Sequence, residues 1–267
     1  MAEVRLLFLG DIVGSSGRKV IQTHLPSIKK EETIDFVIAN AENSAHGFGI
    51  TPSIAQELFE AGVDCLTGGN HTFDKKEVYQ TFQNYPDRVL RPANYPVGTG
   101  GRGSTVLLSR SGHRIGVLNL MGRVFMEPID CPFQVFEREI EGLRQETPLI
   151  FLDMHAEATS EKQAMGRFVD GKVSAVVGTH THTPTADARI LPLGTGYLTD
   201  CGMNGCYDSV IGMKTEIILQ RFRKKQHVRM EVSEGPGSLW GVIYTVDAST
   251  GRCLRVKQIN RDWKSVE

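Results

Sequence analysis

Short apolar runs that end in polar, glycine-bearing segments recur along this chain. Leu6-Leu-Phe-Leu9 stops at Gly10-Asp11, Phe36-Val-Ile38 leads to Asn40-Ala-Glu42-Asn43, and Cys65-Leu-Thr67 opens into Gly68-Gly-Asn70-His71. Unbroken apolar runs of this length predict strands buried on both faces, where an alternating pattern would predict one wet face. Between them lie stripes at helical spacing. Val20, Ile21, His24, Leu25 and Ile28 predict a helix whose second half Pro26 should disturb. Thr51-Pro52 reads as N-cap and first turn of a second helix, burying Ile54, Leu58 and Ala61 and stopped by Gly62. Asp74, with Glu77 three residues on, predicts the capped start of a third. Strand and helix thus alternate in units of the length that parallel βαβ crossovers need.

The middle of the chain changes character. Residues 105–108 and 114–120 predict antiparallel strands joined around Ser111-Gly112. Phe133, Phe136, Ile140 and Leu143 predict a helix, and Leu149-Ile-Phe-Leu152 a strand delivering Asp153-Met-His155. Ala175-Val-Val177 is a further buried strand, ended by Gly178 and followed by His180-Thr-His182. Gly196-Tyr-Leu-Thr199 precedes Asp200, and a helix is expected over 215–222. Residues 230–232, 239–246 and 254–259 predict an antiparallel meander. The pattern as a whole predicts a mixed α/β protein. No repeat or linker divides it, so residues 1–267 are expected to form one domain.

Polar ligand types stand at the carboxyl ends of five of these strands: Asp11, Glu42 with Asn43, Asn70 with His71, His155, and His180 with His182. Each alone is ordinary, because Asp and Asn are common turn residues and a single loop His is unremarkable. Ligands of open α/β sheets gather at that edge, however, so the five ends can converge. The set has no thiol and is too large for a closed structural zinc site. It suits two cations sharing a carboxylate, with manganese, iron or zinc favoured by mixed oxygen and nitrogen donors. Two such ions about 3.5–4 Å apart activate water and clamp a phosphoryl oxygen, which points to phosphoester hydrolysis.

Composition narrows the partners. Thirty basic against 31 acidic side chains leave a net charge of −1, too little for a duplex nucleic-acid or anionic-membrane footprint. Five scattered cysteines without a C-x-x-C fit a reducing compartment. With no signal-peptide core or membrane-length run, a cytoplasmic location is expected. A homo-oligomer is compatible with the sequence.

The order Gly10-Asp11, acid with Asn, Gly69-Asn70-His71, lone His155, then His180-x-His182 resembles the calcineurin-like metallophosphoesterases. The longer strings LGDIVGSSGR, NAENSAHGFG, GGNHTFDKKE, RPANYP, DMHAEATSEK, GTHTHTPTADARILP and TDCGMNG resemble the YmdB family of bacterial phosphodiesterases over essentially the whole chain. That resemblance implies an αββα sandwich with two mixed sheets. It also implies hydrolysis of 2′,3′-cyclic nucleotides to 3′-nucleotides by hydroxide bridging two divalent or mixed-valence ions, iron or manganese first, with zinc or magnesium as alternatives. It assigns Asp11, Glu42, Asn43 and His182 to one ion, and Glu42, Asn70, His155 and His180 to the other. His71 becomes the catalytic residue that protonates the leaving group.

Three positions depart from the wider superfamily. Val13 stands where Asp-x-His would place its His, Glu42 replaces the bridging Asp, and Thr72 replaces the acid after Asn-His, leaving His71 without an evident orienting partner. A broad phosphomono- or diesterase on the same site, and a metal-holding regulatory scaffold, are the competing functions. Arg91, Arg123 and Arg189 are expected at the surface, His24 in a structural role, His46 in a loop near Glu42, and Trp240 and Trp263 in packing.

Overall fold

The structure, a computed structural model, describes residues 2–225 and 227–262, so Trp263 lies outside the described residues. The first half runs β1 (Glu3–Leu9), β2 (Asp11–Ile12), α1 (Gly14–Glu31), β3 (Phe36–Asn40), α2 (Pro52–Glu60), β4 (Cys65–Thr67) and α3 (Val78–Asn84). Then follow β5 (Ser104–Leu108), β6 (Arg114–Met121), α4 (Pro132–Glu146), β7 (Ile150–His155), α5 (Thr159–Val169) and β8 (Ala175–Thr179). The chain ends with β9 (Arg189–Ile190), β10 (Gly196–Leu198), β11 (Met203–Asn204), α6 (Thr215–Lys224), β12 (Ser238–Asp247) and β13 (Cys253–Asp262).

Two main mixed sheets form, ordered β13-β12-β1-β3-β4 and β5-β6-β7-β8-β10-β9, beside a two-stranded parallel pair β11-β2. β1, β3 and β4 are parallel, as are β6, β7, β8 and β10, and antiparallel strands complete both sheets. The continuous apolar runs are explained by what covers each face. In β1, Leu6 and Phe8 point into the layer between the sheets, beside Ile38, Val117, Phe151 and Val177. Leu7 and Leu9 point the other way, against Ile21, Leu25 and Leu58 of α1 and α2. On the far side, α4 and α5 cover Leu118, Leu152 and Val176 with Phe136 and Met165. Each such side chain contributes about 1.5–3 kcal/mol through burial. The result is the expected four-layer αββα sandwich.

Three local expectations are corrected. α1 continues unbroken past Pro26, because Pro26 and Gln22, four residues before it, are both exposed and the freed carbonyl can take water. Asp74 does not cap α3. That helix starts at Val78, and Glu77 at its N-cap makes no side-chain bond. Residues 230–232 form no strand but one isolated bridge, Met213 to Val232, while β12 and β13 form a hairpin laid on β1. Thr51 does cap α2, accepting the Ile54 N–H.

Candidate metal centre

The carboxyl ends of β1, β3 and β4 meet those of β7 and β8, and buried polar bonds tie the two sheets together there. Asp153 Oδ2 accepts from Thr67 Oγ1 at 2.6 Å and from Asn40 Nδ2 at 3.2 Å. Its Oδ1 accepts the Thr179 hydroxyl at 2.7 Å. With its proton committed to Asp153, Thr179 Oγ1 can only accept from His155 Nδ1, 2.9 Å away. His155 thereby keeps a proton on Nδ1 and aims Nε2 into the site. This is how metal-ligating imidazoles are usually oriented.

Around that nitrogen the predicted residues assemble. His155 Nε2 lies 2.9 Å from Asn70 Oδ1, 3.1 Å from Glu42 Oε1 and 3.1 Å from His180 Nδ1. Donor atoms sharing one cation at 2.0–2.2 Å sit about 3 Å apart, so these spacings, though also those of hydrogen bonds, would fit a coordination shell. Glu42, His155 and His180 form a group able to hold a metal ion. Asp11 lies alongside, its Oδ1 3.8 Å from His182 Nε2 and 3.9 Å from His155 Nδ1. Asn43 is fixed by donating Nδ2 to the Gly47 carbonyl. A Cβ on Gly69 would overlap both His155 Nε2 and Glu42 Oε2, so only glycine leaves the centre open.

The donor set also fits cations by what it lacks. Asp11 Oδ1 and Asn43 Oδ1 are buried without a hydrogen-bond donor among the described residues, and Glu42 Oε1 has only the His155 Nε2 proton. Such acceptors ordinarily cost about 1–3 kcal/mol each unless something satisfies them. The charges are frustrated in the same sense. Burial opposes both charged forms in the Glu42–His155 pair, yet their mutual attraction holds Glu42 down at about 2 and pushes His155 up to about 9. Burial raises Asp11, and raises Asp153 to about 6. Burial, reinforced by the His155 charge, drops His180 to about 3. A cation would take the place of the proton that the carboxylates retain on His155.

His180 and His182 reach the site through a strained turn, with φ of 98° and 61°. Positive φ in non-glycine residues costs of order 1–3 kcal/mol and must be held by its surroundings. Asp11 Oδ2 accepts the His180 N–H. Asp200 Oδ2 accepts the Thr181 N–H at 3.2 Å and its hydroxyl at 2.7 Å. Asp200 is in turn paired with Lys162 Nζ at 2.6 Å, both side chains almost fully buried. Glu157 meets His180 Nε2 at 3.0 Å, leaving Nδ1 for the cluster. The Ile211 carbonyl lies 2.9 Å from His182 Nδ1, leaving Nε2 to face Asp11.

His71 stands beside this cluster. Its N–H donates to Glu42 Oε2, and its ring Nδ1 lies 2.8 Å from Asp74 Oδ2. The orienting acid absent at Thr72 is therefore supplied two residues later. Thr72 instead clamps the turn, bonding both N and O of Gly69.

A cavity of about 460 Å³ opens over Glu42, Asn43, His71, His180 and His182. Arg91 is occupied with the Pro92, Thr99 and Gly100 carbonyls, and Arg189 with Asp187. Neither they, Arg123 nor His46 line the cavity; Arg221 does. Asp74, Glu157, Lys162, Asp200 and Arg221 are the residues that sequence reasoning missed. Only Asp200, at a strand end like the others, carried a signal.

Fold and site together define a two-sheet αββα sandwich with a candidate metal-binding edge. The chain belongs to the YmdB-like protein family, whose model matches residues 7–259. It is 46% identical to the 2′,3′-cyclic-nucleotide 2′-phosphodiesterase of Bacillus subtilis strain 168 over 256 residues, 96% of each chain. A crystal structure of a novel phosphatase from Mycoplasma pneumoniae superposes with a TM-score of 0.91 at 36% identity, covering 98% of this chain and 94% of that one. A Thermus thermophilus protein of known structure gives a TM-score of 0.90 at 39% identity, covering 97% of this chain and 99% of that one. Among the described residues no helix is long and apolar enough to cross a membrane.

Proposed function

We propose that this protein is a metal-dependent phosphodiesterase that hydrolyses 2′,3′-cyclic nucleotides to 3′-nucleotides. The observation that carries the reading is the convergence of seven potential ligands, two with orphaned buried oxygens, beneath a cavity that His71 also lines. The name of the Bacillus relative supports the substrate class. Asp11, Asn43 and His182 would hold one ion, Asn70, His155 and His180 the other, and Glu42 both. Bound there, two cations supply a water activated at neutral pH and withdraw charge from the phosphoryl oxygens. Iron or manganese suits this donor set.

The chain's own residues do the rest. Asp74 holds His71 by Nδ1, so that Nε2 can give a proton to the departing ribose O2′. The bond from phosphorus to O2′ breaks as the bond to the water oxygen forms, and the 3′-monophosphate remains. The match over residues 7–259 supports one catalytic domain. Five free cysteines support a reducing, cytoplasmic setting.

The similar Mycoplasma protein is described as a phosphatase, which makes phosphomonoester hydrolysis the second reading. Chromatography of products from 2′,3′-cyclic AMP and from simple phosphomonoesters, with manganese or with chelator, separates the two. The 3′-monophosphate is expected, formed faster than any monoester is cleaved and only with metal. Formation of the 2′-monophosphate, or a preference for monoesters, overturns the proposal.

A further inference from the structure

The cavity above the centre is lined by two unlike sets of side chains. One is the ligands and His71. The other, an apolar wall, is Phe48, Ile211, Met213 and Met230, together with Arg221. Phosphoryl chemistry has no use for that second wall, and water-facing apolar surface is unfavourable unless something covers it. Ile211 is 51% exposed there in a left-handed backbone conformation, φ 50°. The same residue's carbonyl orients His182, so the apolar wall is fixed relative to the cluster. Phe48 packs edge-on against His71, ring centroids 4.9 Å apart at 78°. Arg221 forms no salt bridge among the described residues, and its Nη1 lies 3.3 Å from Met230 Sδ.

We infer that this wall is a nucleobase subsite, in which Phe48 is the stacking platform, Met213 and Met230 an adaptable lining, and Arg221 a donor to the base edge. The inference rests on the phosphodiesterase reading and names the residues that select a nucleoside ester over other phosphoesters. A base is a flat apolar surface with polar edges, which matches an aromatic ring, two thioethers and one guanidinium. Unbranched methionine side chains repack around different ring outlines, so purines and pyrimidines should both be accepted. The cavity volume of about 460 Å³ lies within the range of small-molecule sites. Phe48 adjoins His71, so a base stacked there keeps its ribose next to the proton donor.

The test uses the manganese-loaded protein, titrated with adenosine 3′-monophosphate and separately with inorganic phosphate. Base–aromatic stacking predicts that the nucleotide binds about 5- to 150-fold more tightly than phosphate. Phe48→Ala should remove most of that difference while leaving phosphate binding unchanged, and Phe48→Tyr should retain it. Arg221→Gln should weaken the nucleotide alone. Equal binding of both ligands by the wild type, or equal weakening of both in Phe48→Ala, overturns the subsite. Turnover of 2′,3′-cyclic AMP is followed in parallel. If turnover is absent while nucleotide binding still depends on Phe48, the subsite stands and the reaction assignment falls. If turnover is present but Phe48→Ala changes neither binding nor KM, the reverse holds.

Discussion

His71 and Asp74 pair side chain to side chain across a tight turn, Nδ1 to Oδ2 at 2.8 Å, and this contact points the other imidazole nitrogen at the cavity. If His71 is the proton donor, its loss and the loss of its anchor should differ in size. His71→Ala should keep bound metal and lower turnover of cyclic nucleotides by about 10²–10⁴-fold. Asp74→Asn should cost about 10–100-fold, the usual scale for removing a residue that only orients an imidazole. Both losses should shrink for esters of nitrophenol, whose leaving group needs little protonation. Steady-state kinetics on both substrate types checks this, and equal losses on the two would remove His71 from the acid role.

Asp74 also shows where reading the sequence fell short. Asp-x-x-Glu before an apolar stripe is a sound helix-cap signature, and nothing local distinguishes a cap from an imidazole partner. The buried turn at Gly69-Thr72 decided the matter by delivering His71 to within reach of Asp74. The strands were legible because burial on both faces leaves continuous apolar runs, and the ligand residues because they share strand ends. Lys162 and Asp200 were not, since a buried ion pair 38 residues apart in sequence has no local pattern. Residues 230–232 alternate like a strand but form only an isolated bridge, Val232 to Met213, among the described residues. Phe48 and Arg221 carry no signature outside the cavity they line.

The Lys162–Asp200 pair is expected to matter more for the His180–His182 turn than for stability as such. Lys162→Met leaves Asp200 buried without its cation, which typically costs about 3–5 kcal/mol. Adding Asp200→Asn removes the stranded charge and should recover much of that stability. It should not recover metal binding, because Thr181 then loses its carboxylate anchor. Thermal unfolding of the metal-free variants alongside manganese titration measures the two effects separately. Recovery of both in the double variant would show that the turn holds without Asp200.

Stability and metal affinity should respond oppositely to pH. The folded metal-free protein pushes His155 up to about 9 from 6.5. The protonated imidazole therefore stabilises it fully below about pH 6.5, and that stabilisation is lost as pH rises through 9. Glu42, held down at about 2, contributes at every pH above its ordinary range and is lost only in strong acid. A cation has to displace the His155 proton, so affinity should rise up to about tenfold per pH unit between 7 and 9, then level off. Melting temperatures of metal-free and manganese-loaded protein at pH 7 and 9 should diverge. Parallel shifts would mean that no proton leaves the cluster on binding.

Gly69 offers the sharpest separation of site from fold. Its φ lies outside the left-handed region, so an alanine there is not strained by backbone conformation. The added Cβ would instead overlap His155 Nε2 and Glu42 Oε2, which belong to the two side chains whose approach defines the cluster. Neither side chain can easily retreat: His155 is locked to Thr179 and Glu42 accepts the His71 N–H. Relief must come from moving the donors apart, and a displacement of even about 1 Å takes a ligand out of coordination range, since such bonds tolerate only about 0.2 Å. Gly69→Ala should therefore fold with the wild-type far-ultraviolet circular dichroism spectrum, bind manganese at least about tenfold more weakly, and lose cyclic-nucleotide turnover. A variant that retains wild-type metal content and activity would mean that His155 and Glu42 do not act on a common ion.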